Sequence, residues 1–210
     1  MTADGEPRHG TEPLDASVFA RAVREIAPLD DRDLAAAFAM VRPRELARGE
    51  YFLRAGEFAT EVAVVVRGLV REYFIMPDGT ERTKAFVIEG QPTGSLADLL
   101  SGAASKAFIV AEEPTRTLCM SFQQSLALAA RCAGWRSYGE QLMRRILLVK
   151  AEREYELLGM DAQVRYELFA RRYAGLEARI SARHVASYLG ITPVHLSRLR
   201  RRRARPNHSA

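Results

Sequence analysis

The feature that most constrains this chain is a change of texture near Met120. Before it, from about Glu45, short β-branched and aromatic runs alternate with glycines, as in Glu50–Leu53, Val62–Val66, Leu69–Ile75 and Lys84–Ile88. After it, apolar residues recur at helical spacing. Successive side chains of a strand face opposite ways, whereas a helix returns to one face every three or four residues, so a segment cannot satisfy both periods. An antiparallel β unit followed by an α unit is expected, an α+β fold. Met76-Pro77-Asp78-Gly79-Thr80 is the sharpest turn signal, because proline presets φ and glycine accepts the left-handed geometry of a tight hairpin. Gly49, Gly56, Gly68 and Gly90 punctuate the rest. Short, evenly spaced strands with glycine turns favour a small barrel or roll over an open sheet.

Around this unit the periodicity is helical. Asp15–Ile26 and Asp31–Met40 read as two short helices capped by aspartates and separated at Pro28, while Met1–Leu14 has no periodicity and reads as a disordered tail. Trp135–Leu158 contains no proline, and Tyr138, Leu142, Ile146, Val149 and Leu157 form one narrow stripe along it. Such a stripe on a helix about 36 Å long suits a seam between two copies, with Leu142, Ile146 and Val149 as its candidate contacts. Arg153 interrupts that seam, and packing against the chain's own roll is the alternative. Asp161 caps a further helix running to Tyr173, which Ala174-Gly175-Leu176 breaks. The expected organisation is a tail at 1–14, a β-roll sensor domain with flanking helices at 15–133, a long dimerisation helix at 134–159, and an all-α helix-turn-helix domain with a basic tail at 160–210.

Charge is unevenly spread. The chain carries a net +5, yet from Ser181 onward there are seven arginines and no acid, so that segment is +7 and the remainder −2. A cationic segment of this kind points to a polyanion, since cations that neutralise phosphates release counterions from nucleic acid; a solvated tail and an anionic membrane surface are the alternatives. The same segment encodes a two-helix corner. Ser181 is a cap for Ala182–Leu189, Gly190 supplies a left-handed turn residue, and Thr192-Pro193 is a cap followed by proline at the first helical position. Val185, Leu189, Ile191, Leu196 and Leu199 supply apolar contacts, and Ala186 is small where the helices approach. With Leu196 and Leu199 inward, the second helix presents Val194, Ser197, Arg198 and Arg201, with Pro193 and His195 at its start. Arginine on such a face can bond bidentately to guanine, while Thr192 and Ser197 suit phosphate oxygens; Arg200, Arg202, Arg203 and Arg205 are expected on the DNA backbone.

Several classes are excluded. No apolar run reaches the length of a membrane span, and the start is polar rather than a basic-then-apolar leader, so a soluble, cytoplasmic protein is expected. Cys119 and Cys132 lack metal-ligand spacing and read as reduced packing thiols, and His184 and His195 have no acidic or cysteine companion, so no metal site is expected. There is no nucleophile–base grouping and no phosphate-cradling glycine loop, hence no enzyme.

The order of parts, with the run Ile180-Ser181-Ala182-Arg183-His184-Val185-Ala186-Ser187-Tyr188-Leu189-Gly190-Ile191-Thr192-Pro193-Val194-His195-Leu196-Ser197-Arg198-Leu199-Arg200, resembles the Crp/Fnr (cyclic-AMP receptor protein-like) family of transcription regulators, in its short subgroup ending near the recognition helix. The resemblance spans about residues 15–203. It implies a homodimer binding an inverted repeat of double-stranded DNA, RNA polymerase as a further partner, and Arg198 at the family's DNA-reading arginine. Pro193 and Val194 replace the arginine and glutamate of many members, so no target sequence carries over. In cyclic-nucleotide-binding relatives the roll carries Gly-Glu-Leu and, about ten residues later, Arg-Ser; here the stretch offers Gly94, Ser95 and Leu96, then Ser105, or Lys106 with a one-residue shift. A lysine is a point charge rather than a planar fork. Either a cyclic nucleotide binds to a degenerate pocket, or the roll is retained as a scaffold. The competing functional expectation is a ligand-sensing module that acts through a protein partner.

Overall fold

The computed structural model describes residues 13–204. Most of the expected tail, and Arg205, lie outside the described residues; Pro13 and Leu14, assigned to the tail, instead open a helix.

Strands β1 (Arg42–Leu46), β2 (Tyr51–Leu53), β3 (Glu61–Arg67), β4 (Val70–Ile75), β5 (Glu81–Val87), β6 (Pro92–Thr93), β7 (Phe108–Ala111) and β8 (Thr115–Ser121) pair antiparallel throughout. They make two four-stranded sheets in the orders β1-β8-β3-β6 and β2-β7-β4-β5. The expected turn joins β4 to β5, with the Met76 amide donating to the Thr80 carbonyl at 2.9 Å. β3 shows how alternation builds the unit. Val65 points between the sheets, into a core with Leu46, Leu53, Val70, Val87, Ile109 and Ala111. Val64 and Val66 point the other way, under the helices. Gly68, between β3 and β4, has φ +97°, and a Cβ there would lie 2.5 Å from Thr115 Oγ1, so no larger residue fits that crossing.

Helices α1 (Pro13–Arg24), α2 (Asp31–Phe38) and α4 (Phe122–Arg131), with the first turns of α5 (Ala133–Gly159), cover the β3–β8 face; a short α3 (Leu96–Ser101) lies between β6 and β7. Phe19, Trp135 and Tyr138 anchor this layer by stacking, with ring centroids 6.4 and 4.6 Å apart in succession. The aspartate caps need correction. Asp30, not Asp31, caps α2 by accepting from the Asp33 amide at 2.7 Å. Asp15 lies inside the first turn of α1, fully buried, where it accepts from Arg116 at 2.8 Å; its carboxylate ties α1 to β8.

α6 (Ala162–Arg172) follows α5 after one turn, capped by Asp161 as expected, and a 3-10 turn at Leu176–Ala178 leads to α7 (Ala182–Leu189) and α8 (Pro193–Ala204). Tyr166, Phe169, Tyr173, Leu176, Val185, Tyr188, Leu189, Leu196 and Leu199 form their core, which Leu69 and Phe86 of the roll also enter. The roll and the helical unit therefore share one buried layer. The antiparallel roll, the long helix and the helical C-terminus expected from sequence are all present.

The predicted stripe on α5 is covered over its first half only. Tyr138 is buried, Leu142 packs on the chain's own core and Ile146 is half-buried, whereas Val149 and Leu157 are exposed. Uncovered apolar residues lie around the helix from these: Met143, Leu147, Leu148, Tyr155 at 64% and Leu158 at 82% exposure. α5 is apolar on several sides, so period alone could not choose; contact with α1 and α2 takes the Tyr138–Leu142 side.

Candidate nucleic-acid interface and roll interior

The corner is built as its spacing requires. Ser181 Oγ accepts from the His184 amide at 3.2 Å, and Thr192 Oγ1 accepts from the His195 amide at 3.2 Å, so each helix start satisfies a donor that the helix cannot. Gly190 ends α7 at φ +69°, and the Ile191 amide reaches back to the Ala186 carbonyl at 3.0 Å. Val185, Ala186, Leu189, Leu196 and Leu199 are buried between the helices. Thr192, Pro193, Val194, His195, Ser197, Arg198, Arg201 and Arg202 are all exposed on α8 or its cap. Among the described residues no carboxylate pairs with Arg198, Arg201 or Arg202.

Two arginines expected on DNA backbone are otherwise engaged. Arg200 pairs with Glu177 at 2.9 Å, and Arg203 lies over the Tyr166 ring, 5.7 Å from its centroid. They hold α8 on its own unit. Spacing alone carries no sign of this, because Glu177 is remote in sequence and sits on the 3-10 turn before α7.

α7 docks against β5 and its neighbours. Ser187 Oγ accepts from the Thr83 amide and donates to the Glu81 carbonyl, both at 2.8 Å, and Tyr173 donates to the Phe86 carbonyl at 3.3 Å. His184 Nδ1 lies 3.0 Å from Glu112, which also accepts from Arg71 at 2.5 Å; Arg71 continues to Glu81 at 2.9 Å. Burial alone would raise the Glu112 carboxyl, but hydrogen bonds from His184 and Arg71 outweigh it and hold the group below its usual range. Arg179 bridges Glu89 at 2.7 Å and Glu113 at 2.6 Å. His184 thus has an acidic neighbour that sequence reading denied it, though the contact joins α7 to the end of the roll. Among the described residues no cluster of three or more His, Cys, Asp or Glu is arranged to hold a metal.

In the roll, the predicted ligand residues are scattered in role. Gly94 packs on β3, where an added Cβ would meet the Glu61 carbonyl at 3.1 Å. Ser95 is buried and its hydroxyl goes to Asp98; Leu96 is half-buried. Ser105 is buried, its hydroxyl bonded at 3.1 Å to both the carbonyl and the amide of Ala107. Lys106 points to solvent. The charged groups between the sheets are ones that sequence reading missed. Glu72 lies two residues beyond Val70 on the inward face of β4, 2.7 Å from Lys84 Nζ, with Thr93 Oγ1 at 3.5 Å. The register slips between Glu72↔Ala85 and Tyr73↔Thr83, so Lys84 is the extra residue of a bulge and is turned toward Glu72.

Cys119 and Cys132 are buried and unpaired, and burial pushes both thiols up. Cys132 Sγ accepts from the Trp135 amide at 3.3 Å, a cap for α5. No helix among the described residues is long and apolar enough to cross a membrane.

Residues 43–132 match the cyclic nucleotide-binding domain family. The fold is shared with FixK2 from Bradyrhizobium japonicum at a TM-score of 0.66 and 21% identity, over 77% of this chain and 83% of that one. A CooA mutant from Carboxydothermus hydrogenoformans gives 0.64 and 19%, over 79% and 77%. The Catabolite Activator Protein of Thermus thermophilus gives 0.55 and 25%, over 84% of each. No curated protein sequence matches the chain.

Proposed function

We propose that this chain is a DNA-binding transcription regulator of Crp/Fnr type, acting in the cytoplasm as a homodimer on an inverted repeat. The observation that carries the reading is the outward face of α8: Ser197, Arg198, Arg201 and Arg202 stand exposed, and no carboxylate pairs with the three arginines among the described residues. That face sits on a corner whose other side is buried to 2% or less at Val185, Ala186, Leu189, Leu196 and Leu199. Arg198 reads a base edge, Arg201 and Arg202 neutralise phosphates, and Thr192, Pro193, Val194 and His195 lie where α8 enters a major groove. The shared fold with FixK2 and the catabolite activator supports this, as does the match of residues 43–132 to a sensor domain family. RNA polymerase is the further partner that a regulator of this type engages.

The organisation proposed is a sensor unit over 15–133, a dimerisation helix over 134–159 and a DNA-binding unit over 160–210. The seam is supported by the uncovered apolar residues of α5: Met143, Leu147, Ala151, Tyr155 and Leu158 recur every three or four residues along one side of the helix. Val149 flanks it. The roll is a degenerate cyclic-nucleotide pocket: Ser95 and Ser105 spend their hydroxyls within the chain, and the inward cation is Lys84, already neutralised by Glu72.

Binding to a pool of random duplexes across a salt series, followed by sequencing of the retained fraction, tests this. Enrichment of an inverted repeat that survives rising salt is expected. Retention that fades with salt and enriches nothing would remove the regulator reading and favour a sensor acting through a protein partner.

A further inference from the structure

Glu156 is 4% exposed, on a stretch of α5 from Lys150 to Gly159 that is otherwise exposed except for half-buried Arg153. Its carboxylate accepts from Arg153 Nη1 at 2.9 Å and from Arg172 Nη2 of α6 at 2.5 Å. Burial alone would raise this carboxyl, but the hydrogen bonds from Arg172 and Arg153 outweigh it and hold it below its usual range, so the group is ionised.

Both arginines then grip one residue of the corner, Tyr188. Arg172 Nη1 donates to the phenol oxygen at 3.0 Å. Arg153 lays its guanidinium 3.9 Å from the ring centroid and donates to the Tyr188 carbonyl. Arg165 of α6 donates to the next carbonyl, that of Leu189, at 3.1 Å. These are the last carbonyls of α7, where the helix leaves acceptors unpaired and negative, and the chain turns at Gly190 into α8 directly after them. Arg153, which breaks the apolar stripe in sequence, is a strut between α5 and α7.

We propose that Glu156 is a positioning residue for the DNA-reading helix: through Arg153, Arg172 and Tyr188 it fixes the angle between α5 and α8. The inference rests on reading α8 as the DNA-contacting helix and α5 as the seam. A buried ion cluster adds little net stability over apolar packing, but it tolerates few arrangements, because any displacement leaves a charge unpaired in the interior. If α5 pairs with its copy, the α5–α8 angle sets the separation of the two reading helices, and that separation matters only when both half-sites are occupied at once.

Glu156→Gln therefore has a signature that simple destabilisation lacks. Against the inverted repeat recovered from the random pool it loses about tenfold in affinity, while binding to a duplex with one half-site changes less than about twofold. Equal loss on both duplexes, or no loss on either, overturns the proposal. Should Glu156→Gln fail to fold, Tyr188→Phe removes only the phenol contact and is expected to give the same pattern, weaker. If the wild type recovers no repeat, the regulator reading fails by itself. The angle is then read by spin-label distances between Arg144→Cys and Arg202→Cys, in labelled protomers diluted with unlabelled chain; a distribution that Glu156→Gln does not broaden overturns the link.

Discussion

The face of α8 and the interior of the roll both carry cationic side chains, and they treat them in opposite ways. Arg198, Arg201 and Arg202 are held out on a rigid helix without an acidic partner among the described residues, whereas Lys84 is turned inward by a bulge onto Glu72. The first arrangement leaves charge available to an incoming anion; the second satisfies it before any ligand arrives. One chain can hold its cations open at one end and closed at the other, so shape alone does not say which end of the molecule binds.

The largest effect is expected where that closure is broken. Glu72→Ala strands Lys84 between the sheets and should cost about 3 kcal/mol of stability, the low end for a buried pair because the Lys84 side chain is 31% exposed. Chemical denaturation measures it, and the double variant Glu72→Gln with Lys84→Met should recover most of the loss. If Glu72→Ala instead leaves stability unchanged, the pair is not what closes the space between the sheets. Next comes Arg198→Ala, expected to lower affinity for the selected repeat by about 1–3 kcal/mol and to relax discrimination at one base position. Fluorescence anisotropy on matched and mismatched duplexes reads both, and equal loss on all sequences would move Arg198 to the phosphates. Arg202→Ala should weaken every duplex alike and reduce the slope of log affinity against log salt by about 0.9.

The docking of α7 on the roll separates the regions through pH. Glu112 and Glu156 have carboxyls held below their ordinary value of 4.5, so the folded state favours their ionised forms. That contribution is fully present above pH 4.5 and is lost as pH falls through the lower folded values. Thermal unfolding followed from pH 7 to pH 3 should show a steep decline below 4.5, and Glu112→Gln should flatten it. The smallest effect is expected from Ser187→Ala, which removes two hydrogen bonds at the β5 edge for about 1 kcal/mol, seen as a modest shift in the denaturation midpoint.

Much of this was legible in the sequence where period and local chemistry agree. Val62–Val66, Met76–Thr80 and the Ser181–Leu199 corner needed only a β-branched run, turn chemistry and caps, and each lies where it was expected. β1 was not legible: Arg42–Leu46 buries only Leu46, and its place beside β8 is set by partners such as Arg116 that lie far along the chain. Which side of α5 is covered was not legible either, because that helix is apolar on several sides and the flanking helices choose among them. Glu72 and Lys84 were invisible for a different reason. Strand alternation would put Lys84 and Thr83 on opposite faces, and only the register slip shows where Lys84 points.

Among the described residues β5 has a single strand neighbour, β4, which leaves its other side a row of amides and carbonyls outside the sheet. Ser187 fills part of that row, taking the Thr83 amide and giving to the Glu81 carbonyl. The corner therefore also shields the sheet from pairing with other sheets. Removing residues after Arg179, or pulling α7 off the roll, would leave a strand edge free to recruit another chain, and the roll expressed alone should self-associate and precipitate at concentrations where the full chain stays dispersed.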